Sequence, residues 1–177
     1  MIKMVVFVCK QFTPFLTKMQ TSLPMITRLY TESCKLLYKV LSCFIKPSSL
    51  PDIDDGKKLA QLDVKKANLV LPKMSPSAET SYNNLTNNVQ KIVAKEIFVM
   101  LQKCADYLQK KLSPLQSNLL KHVRALEPEF YEKLTDFGRS DIIKAGQHFR
   151  CFSTADIDAL ANQWEKFVAA SSSSINS

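Results

Sequence analysis

Apolar residues recur at three- and four-residue steps through most of this chain, and that spacing predicts helices. The longest stripe runs through Leu85, Val89, Ile92, Val93, Ile97, Met100, Leu101, Cys104, Leu108 and Leu112. At about 1.5 Å per residue, a helix over about 85–112 spans roughly 40 Å. A second stripe, through Ile26, Leu29, Tyr30, Leu37, Val40, Leu41, Phe44 and Ile45, predicts a helix over about 24–46. Pro24 suits its first turn, where the missing N–H has no helical partner anyway, and Pro47 stops it. Arg28, Glu32, Lys35 and Lys39 lie mainly off the apolar face.

The shorter segments are less uniform. "MVVFV" near the start is β-prone, so Ile2–Lys10 fits strand or helix by composition. The following Phe12, Phe15 and Met19 keep helical spacing, which favours helix. Residues 48–84 are rich in turn formers, with one weak apolar patch from Leu59 to Leu71. So long a connection is uncommon in a compact bundle, and it is either an excursion over the surface or a place where a partner element is missing. Ser113-Pro114 suits the N-cap and first turn of a helix carrying Leu115, Leu119, Leu120, Val123 and Leu126, expected to pack on its predecessor as a hairpin or kinked pair. Pro128 to Leu134 predicts a turn or two of helix, and Ser140 is a candidate cap for Asp141 to Phe149. Ser153 with Asp156 resembles a capping box opening a helix through Ile157, Leu160, Ala161, Trp164, Phe167 and Val168.

The expected fold is therefore all-α, an irregular helical bundle built round the 85–112 helix. Residues 1–47 form a lead-in and first long helix, 48–84 a loop-rich connection, 85–170 the bundle and 171–177 a disordered tail. The whole is one domain or a piece of a longer protein, and the abrupt apolar start fits the latter.

Composition narrows the function classes. Of 177 residues, 46% are hydrophobic, enough for a real core. Only three glycines, Gly56, Gly138 and Gly146, stand isolated, so neither a P-loop nor a dinucleotide-binding glycine run can form. The net charge of +8 favours anionic partners if the lysines share a surface. Three pairs, Lys57-Lys58, Lys65-Lys66 and Lys110-Lys111, are the candidate nucleic-acid contacts. Solvated helix faces that maintain solubility are the competing explanation. The five cysteines are widely spaced, and Cys34, Cys43 and Cys104 sit among apolar residues. Reduced, buried thiols and an intracellular compartment follow. No run approaches the roughly 20 apolar residues of a membrane span, so no membrane partner is expected.

Residues able to do chemistry are few. Asp52, Asp54 and Asp55 beside Gly56 miss the calcium-loop spacing and suit a turn. His122 and His148 have no sequence-adjacent nucleophile or acid at a useful step, so an enzyme using either one with acids brought together by the fold is the third and least favoured reading. Glu127, Glu129 and Glu132 cluster round Pro128, where a helix's first turn prefers acids. Trp164 lies on an apolar face and suits core packing better than base stacking. No catalytic, cofactor or metal residue and no small-molecule substrate is indicated.

The stretch "PFLTKMQTSLPMITRLYTESCKLLYKVLSCFIKPSSL" resembles a block found in proteins of the hAT superfamily of DNA transposases. Pro14, Phe15, Leu16, Thr17, Lys18, Gln20, Thr21, Pro24, Met25, Leu29, Leu36, Leu37, Leu41, Phe44, Ile45 and Lys46 carry the likeness, and "SPLQSNLLKHVRALEPEF" adds a weaker one ending at Leu126-Glu127-Pro128. Together they cover about residues 10–135. The resemblance implies the family's all-helical insertion, without its BED zinc finger and most of its ribonuclease-H-like core. The Asp-Lys that the family places before Pro24 is absent here, and the last third matches nothing in it. No residue matches a catalytic aspartate or glutamate, and two-metal strand transfer needs a full carboxylate set. The function implied is a non-catalytic helical remnant in the nucleus that contacts DNA or protein. The alternative is a helical protein-binding or oligomerisation module with no nucleic-acid role.

Overall fold

The computed structural model describes residues 2–20, 25–112, 118–127, 130, 132–134, 136, 138–149 and 152–175, the side chains of Met4, Asn118 and 172–175 excepted. The protein is all-α. Its helices are α1 (Ile2–Met19), α2 (Ile26–Leu41), α3 (Gly56–Gln61), α4 (Pro76–Asn83), α5 (Asn87–Lys111), α6 (Asn118–Val123), α7 (Arg139–His148) and α8 (Thr154–Ile175), with 3-10 turns at Pro47–Ser49 and Arg124–Leu126. Among the described residues the only extended pairing is a single antiparallel bridge, Ile45 with Leu69. The expected positions of Pro24, Ser113 and Pro114 lie outside the described residues, as do Pro128 and Glu129 in the short turn predicted after Glu127.

The chain falls into two compact units, which differs from the division at 47 and 84 read from the sequence. Unit 1 is Met1–Leu23 with Thr31–Gln116, and unit 2 is Pro24–Tyr30 with Ser117–Ser177. The first turn of α2 thus belongs to one unit and its remainder to the other. Likewise α5 and α6, expected as a hairpin or a kinked pair, fall in different units.

In unit 1 the core is built by α2, the segment after it, α3 and α5. Cys34, Leu37, Val40, Leu41, Phe44, Ile45, Leu59, Ile97, Leu101 and Ala105 are fully buried. The predicted α2 stripe is buried at Tyr30, Leu37, Val40 and Leu41 but exposed at Ile26, and the helix ends at Leu41 rather than near Lys46. Cys43 and Phe44 close tighter turns onto Val40 and Leu41. The chain then pairs with the 68–73 segment, through Lys46 N–H to Asn68 C=O at 2.8 Å, Val70 N–H to Phe44 C=O at 3.0 Å and Lys73 N–H to Cys43 C=O at 2.7 Å. Apolar positions keep burying themselves there, Phe44 against Phe98 edge-on at 5.5 Å, so the periodic pattern outlives the helix. The 48–84 connection holds α3 and α4 and buries Leu59 and Val64 in this core. Pro14 sits inside α1, where its absent N–H removes the bond to the Lys10 carbonyl.

Unit 2 packs α6 and α8 on α7, with Ala125, Ile142, Trp164 and Val168 as its buried cluster and Leu134 and Leu160 against it. Trp164 is a core residue, its ring 5.4 Å from Phe167. The Ser153 box forms: Ser153 N–H donates to Asp156 Oδ2 at 2.8 Å and Asp156 N–H to Ser153 Oγ at 3.3 Å. Ser140, expected to cap α7, does not; the helix begins after Gly138 at φ 80°, a left-handed conformation that glycine adopts without strain. The capping role passes to Asp136, whose carboxylate accepts from the Gly138 and Ser140 N–H groups at 3.1 and 2.9 Å. Helix α8 continues to Ile175, into the stretch read as a tail.

Candidate nucleic-acid interface

Charge is divided unequally between the units. Unit 1 holds 16 Lys and no Arg against 8 Asp and Glu, whereas unit 2 holds 8 Lys and Arg against 8 Asp and Glu. The whole formal excess of +8 therefore lies in unit 1, and all of it is lysine. Lysine presents a compact, strongly hydrated point charge, suited to a phosphate and less so to the bidentate readout of a base that arginine performs.

The three lysine pairs lie on segments that are tied together by a residue the sequence did not flag. Gln109, in the last turn of α5, donates from Nε2 to the Leu59 carbonyl at 3.0 Å and the Leu62 carbonyl at 2.9 Å. These carbonyls terminate α3, where the last C=O groups lack helical partners. The amide ties two elements some fifty residues apart, and each lysine lies within four residues of the tie: Lys57 and Lys58 in α3, Lys65 and Lys66 in the following turn, Lys110 and Lys111 beside Gln109. All six are exposed.

Acids engage two of them. Asp55 accepts from the Lys58 N–H at 3.0 Å as the cap of α3 and pairs with Lys58 Nζ at 3.0 Å. Asp63 accepts from the Lys65 N–H at 3.0 Å and pairs with Lys66 Nζ at 3.3 Å. Those backbone and lysine contacts hold the Asp63 carboxyl below the usual carboxylate range, the Lys65 N–H contributing most. Lys111 lies 5.7 Å over the Tyr107 ring. Among the described residues, Lys57, Lys65 and Lys110 have no acidic partner, leaving their ammonium groups to solvent or to an anion.

The other candidates have local roles. Asp52 accepts from the Asp54 N–H at 2.8 Å, so this acidic run shapes the turn that Asp55 then caps. Glu127 receives Thr27 Oγ1 and, at 2.9 Å, Arg28 Nε, fixing the first turn of α2 within unit 2. Glu132 and His148 are exposed. His122 has a partner invisible in the sequence: its Nδ1 meets Asp141 Oδ1 across the α6–α7 contact. Among the described residues no group of three or more His, Cys, Asp or Glu could hold a metal ion.

Of the thiols, Cys34 and Cys43 are buried, Cys104 is half-buried and Cys9 is exposed; Cys151 lies outside the described residues. Burial pushes the Cys43 and Cys104 thiols up, which keeps them protonated.

Unit 2 offers a different surface. Ile26, Leu119, Leu120, Val123, Leu126, Ile142, Phe149, Phe152 and Leu160 line an open apolar pocket of about 340 Å³. Phe149 and Phe152 meet edge-on at 6.2 Å, each about half exposed. Among the described residues no helix is long and apolar enough to cross a membrane. Comparison with protein-family models, curated proteins and solved structures finds no match to this chain.

Proposed function

We propose that this chain is a non-catalytic helical remnant of a hAT-like transposase, acting in the nucleus, that contacts nucleic-acid phosphates through the lysine pairs of unit 1. One observation supports the reading: Gln109 ties together the segments that carry three lysine pairs, in the unit that holds the entire charge excess. An all-lysine surface suits sequence-independent contact, in which phosphates supply the affinity. The lineage rests on the block from Pro14 to Lys46, and the lack of strand-transfer activity on the missing match to the family's carboxylates.

Anisotropy titration of the full chain against unrelated DNA duplexes tests it. Affinities should be similar across sequences and fall linearly on a log–log plot of binding against salt, with a slope near −0.9 per neutralised phosphate. Binding that stays unmeasurable at low salt removes the proposal.

A second reading, a helical protein-binding or oligomerisation module with no nucleic-acid role, is favoured by the charge-balanced unit 2 and its apolar pocket. It predicts self-association or partner capture that Leu126→Lys weakens, Leu126 being exposed on the pocket rim. Light scattering showing a monomer at all concentrations counts against the self-associating form.

A further inference from the structure

Burial along α5 is uneven. Ile97 and Leu101 are sealed, yet on the same predicted stripe Leu85 is 36%, Val89 41% and Ile92 63% exposed. Beside this under-covered stretch, wholly within unit 1, lies a cavity of about 460 Å³. Buried Ile97 and Ala78 form its floor, and Val93, Leu85, Met74 and Ile2 its apolar wall. Its polar groups converge on one edge. Lys3 Nζ donates to the Ser77 carbonyl at 3.3 Å and to Ser81 Oγ at 2.9 Å, with Tyr82 also lining the site. An ammonium has three N–H donors, and these contacts use two.

We propose that this cavity binds an amphiphilic monoanion, a single carboxylate on an apolar chain, with the tail against Ile97, Val93 and Met74 and one carboxylate oxygen on Lys3. The volume falls within the range of small-molecule sites, and an apolar body with a few convergent polar groups is their usual make-up. A strongly polar ligand is rejected because its remaining groups find no partners on the apolar wall. A multiply charged phosphate would need more donors than one ammonium edge supplies. The positive field of unit 1 favours an anion over a neutral analogue. This site uses none of the six lysines near Gln109, so it stands or falls apart from the nucleic-acid proposal.

Calorimetric titration of the full chain with hexanoate, octanoate, decanoate and decanol, each below its aggregation threshold, is the test. Acid affinity should rise about fourfold per methylene until the cavity is filled. Lys3→Met should weaken decanoate at least tenfold while leaving decanol unchanged. Leu85→Asp, at a partly exposed position outside any helix, should weaken decanoate by a similar factor without lowering helicity. The proposal is overturned by no decanoate binding below about 1 mM, by equal affinities for acid and alcohol, by an affinity indifferent to chain length, or by decanoate binding that survives both substitutions. A ligand that binds only across two copies of the chain also overturns it.

Discussion

The two units, both built of helices, make unlike surfaces. Unit 1 concentrates cations and ties the segments that carry them with a neutral group, the Gln109 amide on carbonyls in α3 and just beyond it. Unit 2 balances its charges and pairs several of them internally: Arg28 with Glu127, Arg139 with Glu165, His122 beside Asp141. Even the Arg124 guanidinium is folded inward, 5.3 Å over the Tyr30 ring and 5.1 Å over Phe130. A chain-wide charge of +8 is thus an average over one strongly basic body and one neutral body. Reading it as a uniform property would dilute the signal of the first and invent one for the second.

Perturbations that act on one unit alone test this contrast. The largest is Trp164→Ala: removing a buried aromatic from the unit 2 cluster should cost about 3–5 kcal/mol. Hydrogen exchange should show the loss of protection in α7 and α8, with DNA affinity retained. If DNA affinity falls in parallel with that protection, the DNA contacts do not belong to unit 1 alone.

Next comes charge removal. Replacing Lys57, Lys65, Lys110 and Lys111 by Ala should flatten the salt dependence of DNA binding by up to about 0.9 for each phosphate that is no longer neutralised. The matched set Lys121, Lys133, Lys144 and Lys166, all from unit 2, should change it little. Equal effects from both sets would mean that total charge, not the lysines near Gln109, governs binding.

Smaller effects refine the picture. Ser153→Ala, which removes the capping hydroxyl of α8, should destabilise unit 2 by about 1 kcal/mol in chemical denaturation. Acid should act on unit 1 through Glu32, where burial pushes the carboxyl up but hydrogen bonds and charges from Lys18 and Lys35 outweigh it and leave it lowered. A carboxyl lowered in the folded state contributes stability above its unfolded value, and that contribution disappears as pH falls through the folded one. Denaturation midpoints followed below about pH 4.5 should therefore drop less in Glu32→Gln than in the native chain. Smallest of all, Gly146→Ala should be neutral or stabilise by up to about 1 kcal/mol in thermal unfolding. Its new Cβ would meet Leu160 Cδ2 at 3.4 Å and Ile157 Cγ1 at 3.6 Å, ordinary contacts.

What the sequence made visible was what repeats or sits close in the chain. The apolar stripes located α2 and α5, and Ser153 three residues before Asp156 announced α8. What it hid depends on distance or on partners. Phe44 and Ile45 continue an apolar rhythm after the helix has stopped, because burial by the 68–73 segment satisfies the same pattern. Ile92 fits the α5 stripe yet stays exposed, since periodicity says which side chains share a face and not whether anything covers it. Gln109 is a polar residue whose partners are backbone carbonyls in α3 and just beyond it, a bond that leaves no trace in side-chain spacing. His122 and Asp141 meet only because α6 packs on α7. The charge partition was written in the residue identities, but the divisions that expose it follow Leu23, Tyr30 and Gln116, the second of them inside α2.

That Gln109 is an amide rather than a cation has a consequence for how the protein would let go of a polyanion. Mobile ions weaken attraction between charges and leave a dipole bonded to a carbonyl almost untouched. If unit 1 binds a polyanion as proposed, rising ionic strength should release it while α3 and α5 stay joined, leaving the lysine-bearing segments in place for rebinding.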